Sequence, residues 1–237
     1  MIPNKYAYLT GCLLFFIPWA VLYWHRRDLR RAMLIMGIIG AFGSLLTARY
    51  WTIDWWRPET ITGTRVGVED FVLGISNAGI ATVLYAEIFR KRLYHRRKGD
   101  HSKGLTVLVI LTCALFWVLF NKLHANSFLA CIVALSVYSA IMLYLRRDLF
   151  ISSTLNGLLM VLVAAPVYFL MILLSPGVIN HTYIFPTATS LHLFGVPVQE
   201  FVFYFVFGFM VALMYEYWQG LRIRNFATAK ATAIKRR

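Results

Sequence analysis

The chain has 237 residues, 59% of them apolar or aromatic and only 14% charged, yet Lys and Arg outnumber Asp and Glu by 24 to 10, a formal net charge of +14. Soluble domains hold about 45–50% apolar and about 25% charged residues, so this composition excludes a nucleic-acid binder, whose basicity comes with polarity, and a disordered chain, which needs low hydrophobicity. Cys12, Cys113 and Cys131 are odd in number and lie in apolar runs, which excludes a disulfide scaffold and leaves a polytopic membrane protein with its positive charge confined to loops.

A helix needs about 20 mainly apolar residues to cross the hydrocarbon core of a bilayer. Seven stretches qualify: Tyr6–Trp24, Arg31–Ala48, Val66–Phe89, Leu105–Phe120, Ser127–Leu145, Thr154–Leu174 and Val198–Trp218. The first is read as a true span rather than a cleaved leader. It lacks a basic start and a small-residue cleavage site, and His25-Arg26-Arg27 closes it. Pro18 and Pro166 are expected to kink or loosen spans 1 and 6. The expected fold class is all-α: one integral-membrane domain of seven transmembrane helices over residues 1–237, with 219–237 as a basic tail.

The loop charge alternates. Arg26, Arg27, Arg30 and Arg31, then seven Lys/Arg from Arg90 to Lys103, then Arg146 and Arg147, then six from Arg222 onward fall on one side, 19 in all. The other side holds Lys5, Arg49, Arg57, Arg65 and Lys122. The positive-inside rule therefore predicts a multi-pass protein of the cell membrane with its N-terminus outside and its C-terminus in the cytoplasm. The basic loop Arg90–Lys103 is read as a topology signal that touches anionic lipid. Trp24, Trp51, Trp55, Trp56 and Trp218 suit the aromatic belts at the two interfaces.

An internal repeat runs through the chain. Arg26-Arg27-Asp28-Leu29 after span 1 returns as Arg146-Arg147-Asp148-Leu149 after span 5, and Gly37 and Gly157 keep that offset of 120 positions. Gly67-Val68-Glu69-Asp70-Phe71 at the head of span 3 parallels Pro197-Val198-Gln199-Glu200-Phe201 at the head of span 7, 130 positions on, as does Tyr85 with Tyr215. The sequence thus reads as two parallel three-helix repeats, spans 1–3 (about 6–89) and 5–7 (about 127–218). A linking span at about 105–120 joins them. Parallel repeats are related by an axis along the membrane normal, and substrate sites often lie between such halves.

Ionisable residues inside a span are functional candidates by default. Glu69, Asp70 and Glu200 stand in the first turns of spans 3 and 7. A purely structural role competes, because first-turn acids complement the helix dipole and Arg65 lies one turn from Glu69. Helical spacing puts Asn77 on the stripe of Asp70 and Leu73, two turns deeper. Glu200, Tyr204, Phe207 and Val211 form the matching stripe of span 7, flanked by Phe201, Phe203 and Phe205. An apolar pocket keeps a carboxyl protonated and able to act as an acid, and aromatic faces stabilise cations. Acids with aromatics at membrane depth therefore suit carbocation chemistry on an isoprenoid. Glu87 and Glu216 read as boundary residues at the inner helix ends, Glu87 within reach of Lys91. Asn156 reads as either a packing or a pocket residue. The six histidines show no metal-ligand spacing, so no metal is expected.

On these residues the chain resembles the membrane-embedded lycopene cyclase domain family of archaea, bacteria and fungi. Its mark is a twice-occurring Pro-x-Glu-Glu/Asp followed by aromatics. The first copy here is Asp54-Trp55-Trp56 with Thr62-Gly63-Thr64-Arg65-Val66-Gly67-Val68-Glu69-Asp70-Phe71, the second Pro197-Val198-Gln199-Glu200-Phe201-Val202-Phe203-Tyr204. The resemblance implies closure of the linear ends of lycopene to β-ionone rings without net redox change. Glu69, Asp70 and Glu200 would be the acid/base groups, and Asn77, Gln199, Phe203, Tyr204 and Phe207 would contact the substrate. Two departures stand out: Gly67 replaces the first motif's proline, and Gln199 replaces an acid in the second.

The expected partners are a lipophilic carotenoid or other isoprenoid substrate and membrane lipids, with a homo-oligomer left open and no nucleic acid. No cofactor is predicted, and a flavin requirement is left open. The competing function is a non-catalytic carotenoid-binding or membrane scaffold protein, which Gln199 keeps in view. A retinal photoreceptor is disfavoured because the last span contains no lysine for a Schiff base.

Overall fold

The computed structural model describes residues 2–95, 102–184 and 191–225. Part of the basic loop (96–101, which includes His101) and the end of the basic tail (226–237) lie outside them. All seven expected spans are helices long and apolar enough to cross a membrane. They are α1 Asn4–His25, α2 Arg30–Asp54, α3 Val68–Ile88, α4 Ser102–Asn121, α5 Ser127–Leu145, α6 Phe150–Leu174 and, after a short α7 at Val178–Thr182, α8 Val198–Trp218. The protein is a multi-pass, all-α membrane protein.

Two boundaries lie four or more residues from the sequence reading. Helix α2 continues past Ala48 to Asp54, and α6 begins at Phe150, directly after a 3₁₀ turn at Arg147–Leu149. Pro18 and Pro166 both lie within continuous helices, so neither ends its span. The extension of α2 has a use: the Asp54 carboxylate accepts from the Ser127 amide at 3.0 Å and its hydroxyl at 2.5 Å, serving the first turn of α5.

Small residues set the closest helix contacts, as expected where lipid offers no hydrophobic drive for helix association. A Cβ placed on Gly37 of α2 would lie 2.9 Å from the Ile75 carbonyl oxygen of α3, and one on Gly157 of α6 would lie 2.7 Å from the Phe205 carbonyl oxygen of α8. Ile75 and Phe205 are themselves 130 positions apart. Asn156 is a packing residue. Its Nδ2 donates to the Ala81 carbonyl of α3 and the Gly208 carbonyl of α8, both at 2.8 Å, while its Oδ1 accepts from the Tyr85 amide at 3.0 Å. Ala81 and Tyr85 are one helical turn apart, so the amide clasps the α3 ladder and ties α3, α6 and α8 together.

The two Arg-Arg-Asp-Leu stretches fold alike. Arg26 makes a two-pronged pair with Asp28, both bonds at 2.9 Å, and Arg146 makes one with Asp148 at 2.8 and 2.9 Å. Arg26 is buried, and it also reaches Glu87 at 2.8 Å and the Lys91 carbonyl at 3.0 Å, joining the C-terminal ends of α1 and α3. Glu87 thus has an ion pair with Arg26, with His25 at 3.5 Å. Glu216 differs from its expected boundary role, since it is buried with Oε2 unpartnered.

Beyond α3 and α8 the chain forms two strands, β1 Lys91–His95 and β2 Leu221–Asn225, paired antiparallel from Lys91↔Asn225 to His95↔Leu221. Each follows a residue with positive φ, Arg90 at 48° and Gly220 at 58°. This ribbon joins the C-terminal ends of the two motif-bearing helices. At the opposite end of the bundle, Trp56 and Tyr183 form an antiparallel bridge. The Arg57 amide donates to the Thr182 carbonyl at 2.7 Å and the Ile184 amide to the Trp55 carbonyl at 3.0 Å, roofing that side of the bundle.

Candidate active site

Under this roof lies a cavity of about 290 Å³, close to the lower end of the range for small-molecule sites. Its wall is almost entirely apolar and aromatic, drawn from α1, α2, α3, α5, α6 and α8. On α8 it runs from Glu200 to Met214, a length of ~21 Å at 1.5 Å per residue. The cavity is a slot along the helices.

Of the residues singled out in sequence, Glu200, Asn77, Phe203, Tyr204 and Phe207 line this slot, whereas Glu69, Asp70 and Gln199 do not. Glu200 is buried and accepts a 2.5 Å hydrogen bond from the Tyr168 hydroxyl of α6, which lies 3.4 Å from that of Tyr183. Burial and the neighbouring Glu200 hold the Tyr183 hydroxyl protonated well above the ordinary tyrosine range. Asn77 is buried with Oδ1 unpartnered. Around them stand stacked and edge-on rings. Tyr204 stacks on Phe15 at 5.5 Å and meets Tyr168 edge-on at 6.1 Å, while Phe203 stacks on Phe207 at 5.7 Å and meets Trp55 at 5.3 Å.

The first motif is arranged differently. Asp70 accepts from the Gly67 amide at 2.8 Å and from the Tyr8 hydroxyl at 2.7 Å. Tyr8 lines the slot, so Asp70 stands one hydroxyl behind the wall. Glu69 is fully buried, accepts from the Ile61 amide at 2.5 Å through Oε1, and leaves Oε2 without a partner. The suggested Arg65–Glu69 pair does not form; the Arg65 guanidinium points to the Thr52 carbonyl at 3.5 Å. Gln199 is half-buried with an unpartnered Oε1.

The residue before each helix accounts for this asymmetry. Gly67 and Pro197 are the N-caps of α3 and α8, each three residues before its acid. Gly67 has an amide, and Asp70 turns back to cap it. Proline has none, so nothing in the α8 backbone at that position holds Glu200, whose carboxylate turns to Tyr168 and the slot. A short hairpin, His192–Leu193 with Val196–Pro197, delivers the chain to that start.

Tyr8, Tyr168, Phe15 and the tryptophans were not legible as site residues in sequence. The available signal was two tyrosines inside apolar spans, since a buried hydroxyl needs a partner. Trp51, Trp55 and Trp56 all line the slot, and Trp55 is 4% exposed. They are cavity walls, Trp51 and Trp56 remaining partly exposed, whereas Trp24 is 73% exposed.

Comparison with known proteins agrees with this architecture. The family described as Lycopene cyclase matches residues 5–88 and 126–218, the stretches holding α1–α3 and α5–α8, so the chain belongs to the lycopene cyclase family. No curated protein and no solved structure matches the chain.

Proposed function

We propose that the protein is an integral-membrane carotenoid or isoprenoid cyclase that closes the linear ends of lycopene to β-ionone rings, with Glu200 as the acid. The carrying observation is the placement of Glu200: a buried carboxyl on the wall of an apolar, aromatic slot, held by a tyrosine hydroxyl. In its protonated form Glu200 gives its proton to a terminal double bond, leaving a tertiary cation. The neighbouring alkene closes on that cation, one carbon–carbon bond forms, and the charge moves into the new ring. Loss of a ring proton restores a double bond, so two double bonds become one bond and one double bond with no redox change. The faces of Phe15, Phe203, Tyr204 and Phe207 favour the cation through their quadrupoles. Tyr8, backed by Asp70, is the second group at the wall able to take a proton, passing its own to Asp70 Oδ1. Asn77, Phe203, Tyr204 and Phe207 contact the chain of the substrate, Glu69 and Gln199 stand outside the slot, and the reading requires no cofactor.

Two further readings accompany this one. The halves α1–α3 and α5–α8 are taken as parallel repeats, supported by the matched Arg–Asp pairs and glycine contacts 120 and 130 positions apart. The N-terminus is placed outside and the C-terminus in the cytoplasm, supported by the loop charge. A non-catalytic carotenoid-binding role is favoured by a single observation, that Glu69 and Asp70 are both engaged by backbone amides and lie off the slot.

Expression in a lycopene-accumulating bacterium, followed by pigment chromatography, separates these readings. The cyclase reading expects γ- or β-carotene from the full chain, loss of product in Glu200→Gln, and a fall of about 10- to 100-fold in Tyr168→Phe, since a hydrogen bond to a charged group contributes about 1.5–3 kcal/mol. Unchanged lycopene with the protein folded in the membrane overturns it. Pigment that co-purifies without conversion assigns the binding role.

A further inference from the structure

We propose that the slot opens sideways into the bilayer between α2 and α5, and that Gly43 keeps this opening passable for a linear isoprenoid chain arriving from the lipid. The proposal rests on reading the slot as the binding site for such a molecule. Gly43 lines the slot and is exposed, as is Ile39 one turn deeper at 40% exposure. Wall residues this exposed mark a mouth of the slot. A Cβ on Gly43 would meet nothing within 4 Å, whereas one on Gly40, three residues away, would run into Gly74 and Ala78 of α3. Gly40 is therefore needed for packing and Gly43 is not, which leaves Gly43 available for the opening.

The facing wall is α5, where Cys131 and Leu135 line the slot and are only partly buried. Gly43 lies 11 residues from the outer end of α2 and Leu135 eight from the start of α5, depths of ~16 and ~12 Å. Both fall inside the hydrocarbon layer. Above them α2 and α5 are pinned together by Asp54 on Ser127 and by the Trp55 ring against Phe128 at 5.0 Å. The Trp56–Tyr183 bridge closes the outer end as well. The slot is thus roofed toward water and open toward lipid. This suits a hydrocarbon, for which each methylene exposed to water costs about 0.8 kcal/mol.

The test uses the full chain in membranes and an apolar diazirine that partitions into lipid, whose photogenerated carbene inserts without needing a thiolate, with insertion at Cys131 read by peptide mass. The apolar diazirine is expected to label Cys131, and a charged, water-soluble diazirine is not. Gly43→Phe and, from the other wall, Leu135→Trp are expected to cut this labelling at least tenfold and lycopene conversion with it. Membrane insertion and elution like the parent establish that the variants are folded. Labelling unchanged in both bulky variants overturns the opening. A parent that converts no lycopene while the variants still block labelling keeps the opening and removes the cyclase reading. A parent that converts lycopene with labelling and yield unmoved by either variant removes the opening and keeps the cyclase.

Discussion

Gly67 and Pro197 stand at equivalent starts of α3 and α8, and a single amide hydrogen separates the fates of the acids that follow them. Asp70 spends one carboxylate oxygen on the Gly67 amide and the other on Tyr8, so it acts on the slot only through a phenol. Glu200 has no such amide and faces the slot directly. Gly67→Pro tests this balance. It removes the donor, and it asks for φ near −65° where Gly67 has −121° and a Cβ would lie 2.9 Å from Thr60 Cγ2. Losing a cap bond costs about 0.5–2 kcal/mol, so the variant is expected to melt below the wild type in detergent. An unchanged Tm would show that the Asp70 cap carries no weight.

At the scale of elements, two polar side chains do what hydrophobic burial cannot do in lipid. Asp54 ends α2 and serves the first turn of α5, a favourable place for an anion because the amides of a helix N-terminus point outward. Asn156 grips three backbone groups on α3 and α8 at once. Interhelical hydrogen bonds in membranes contribute about 0.6 kcal/mol on average and up to about 1.7. Asn156→Leu is accordingly expected to lose about 1–2 kcal/mol on that scale, read as a lower denaturant midpoint. Hydrogen exchange should quicken around the Tyr85 amide, while exchange in α4, which Asn156 does not touch, stays as it was.

For the whole molecule, the slot is lined from both family-matched stretches: α3 supplies Asn77, α8 supplies Glu200, and α1 and α6 bring Tyr8 and Tyr168 to the wall. The ribbon of β1 and β2 ties the C-terminal ends of α3 and α8, and the Trp56–Tyr183 bridge closes the opposite end. In the proposed orientation the ribbon is cytoplasmic and the roof is outside. A green fluorescent protein fused after Arg237 is then expected to fluoresce, and alkaline phosphatase fused there to be inactive. The opposite pair of results reverses the topology.

Much of this was legible in the one-dimensional pattern. Apolar runs of bilayer length, interrupted by arginines, determined the seven spans by themselves, because a backbone in lipid must satisfy its own hydrogen bonds and only helices of that length do so. The stripe Glu200–Tyr204–Phe207 was also readable, since helical spacing alone puts those residues on one face. Which stripe faces a cavity was not readable, because that depends on the neighbours across each helix. Glu69 and Asp70 have the right spacing and chemistry, yet the Ile61 and Gly67 amides claim them. Tyr8 and Tyr168 look in sequence like any aromatic residue of a span, and only tertiary packing brings each to its acid, 62 and 32 positions away. The sequence alone determined the number of spans and the presence of acids in the first turns of two of them. Tertiary structure decided which acid meets the slot, because a carboxylate in an apolar interior turns to whichever hydrogen-bond donors the neighbouring helices and loops bring within reach.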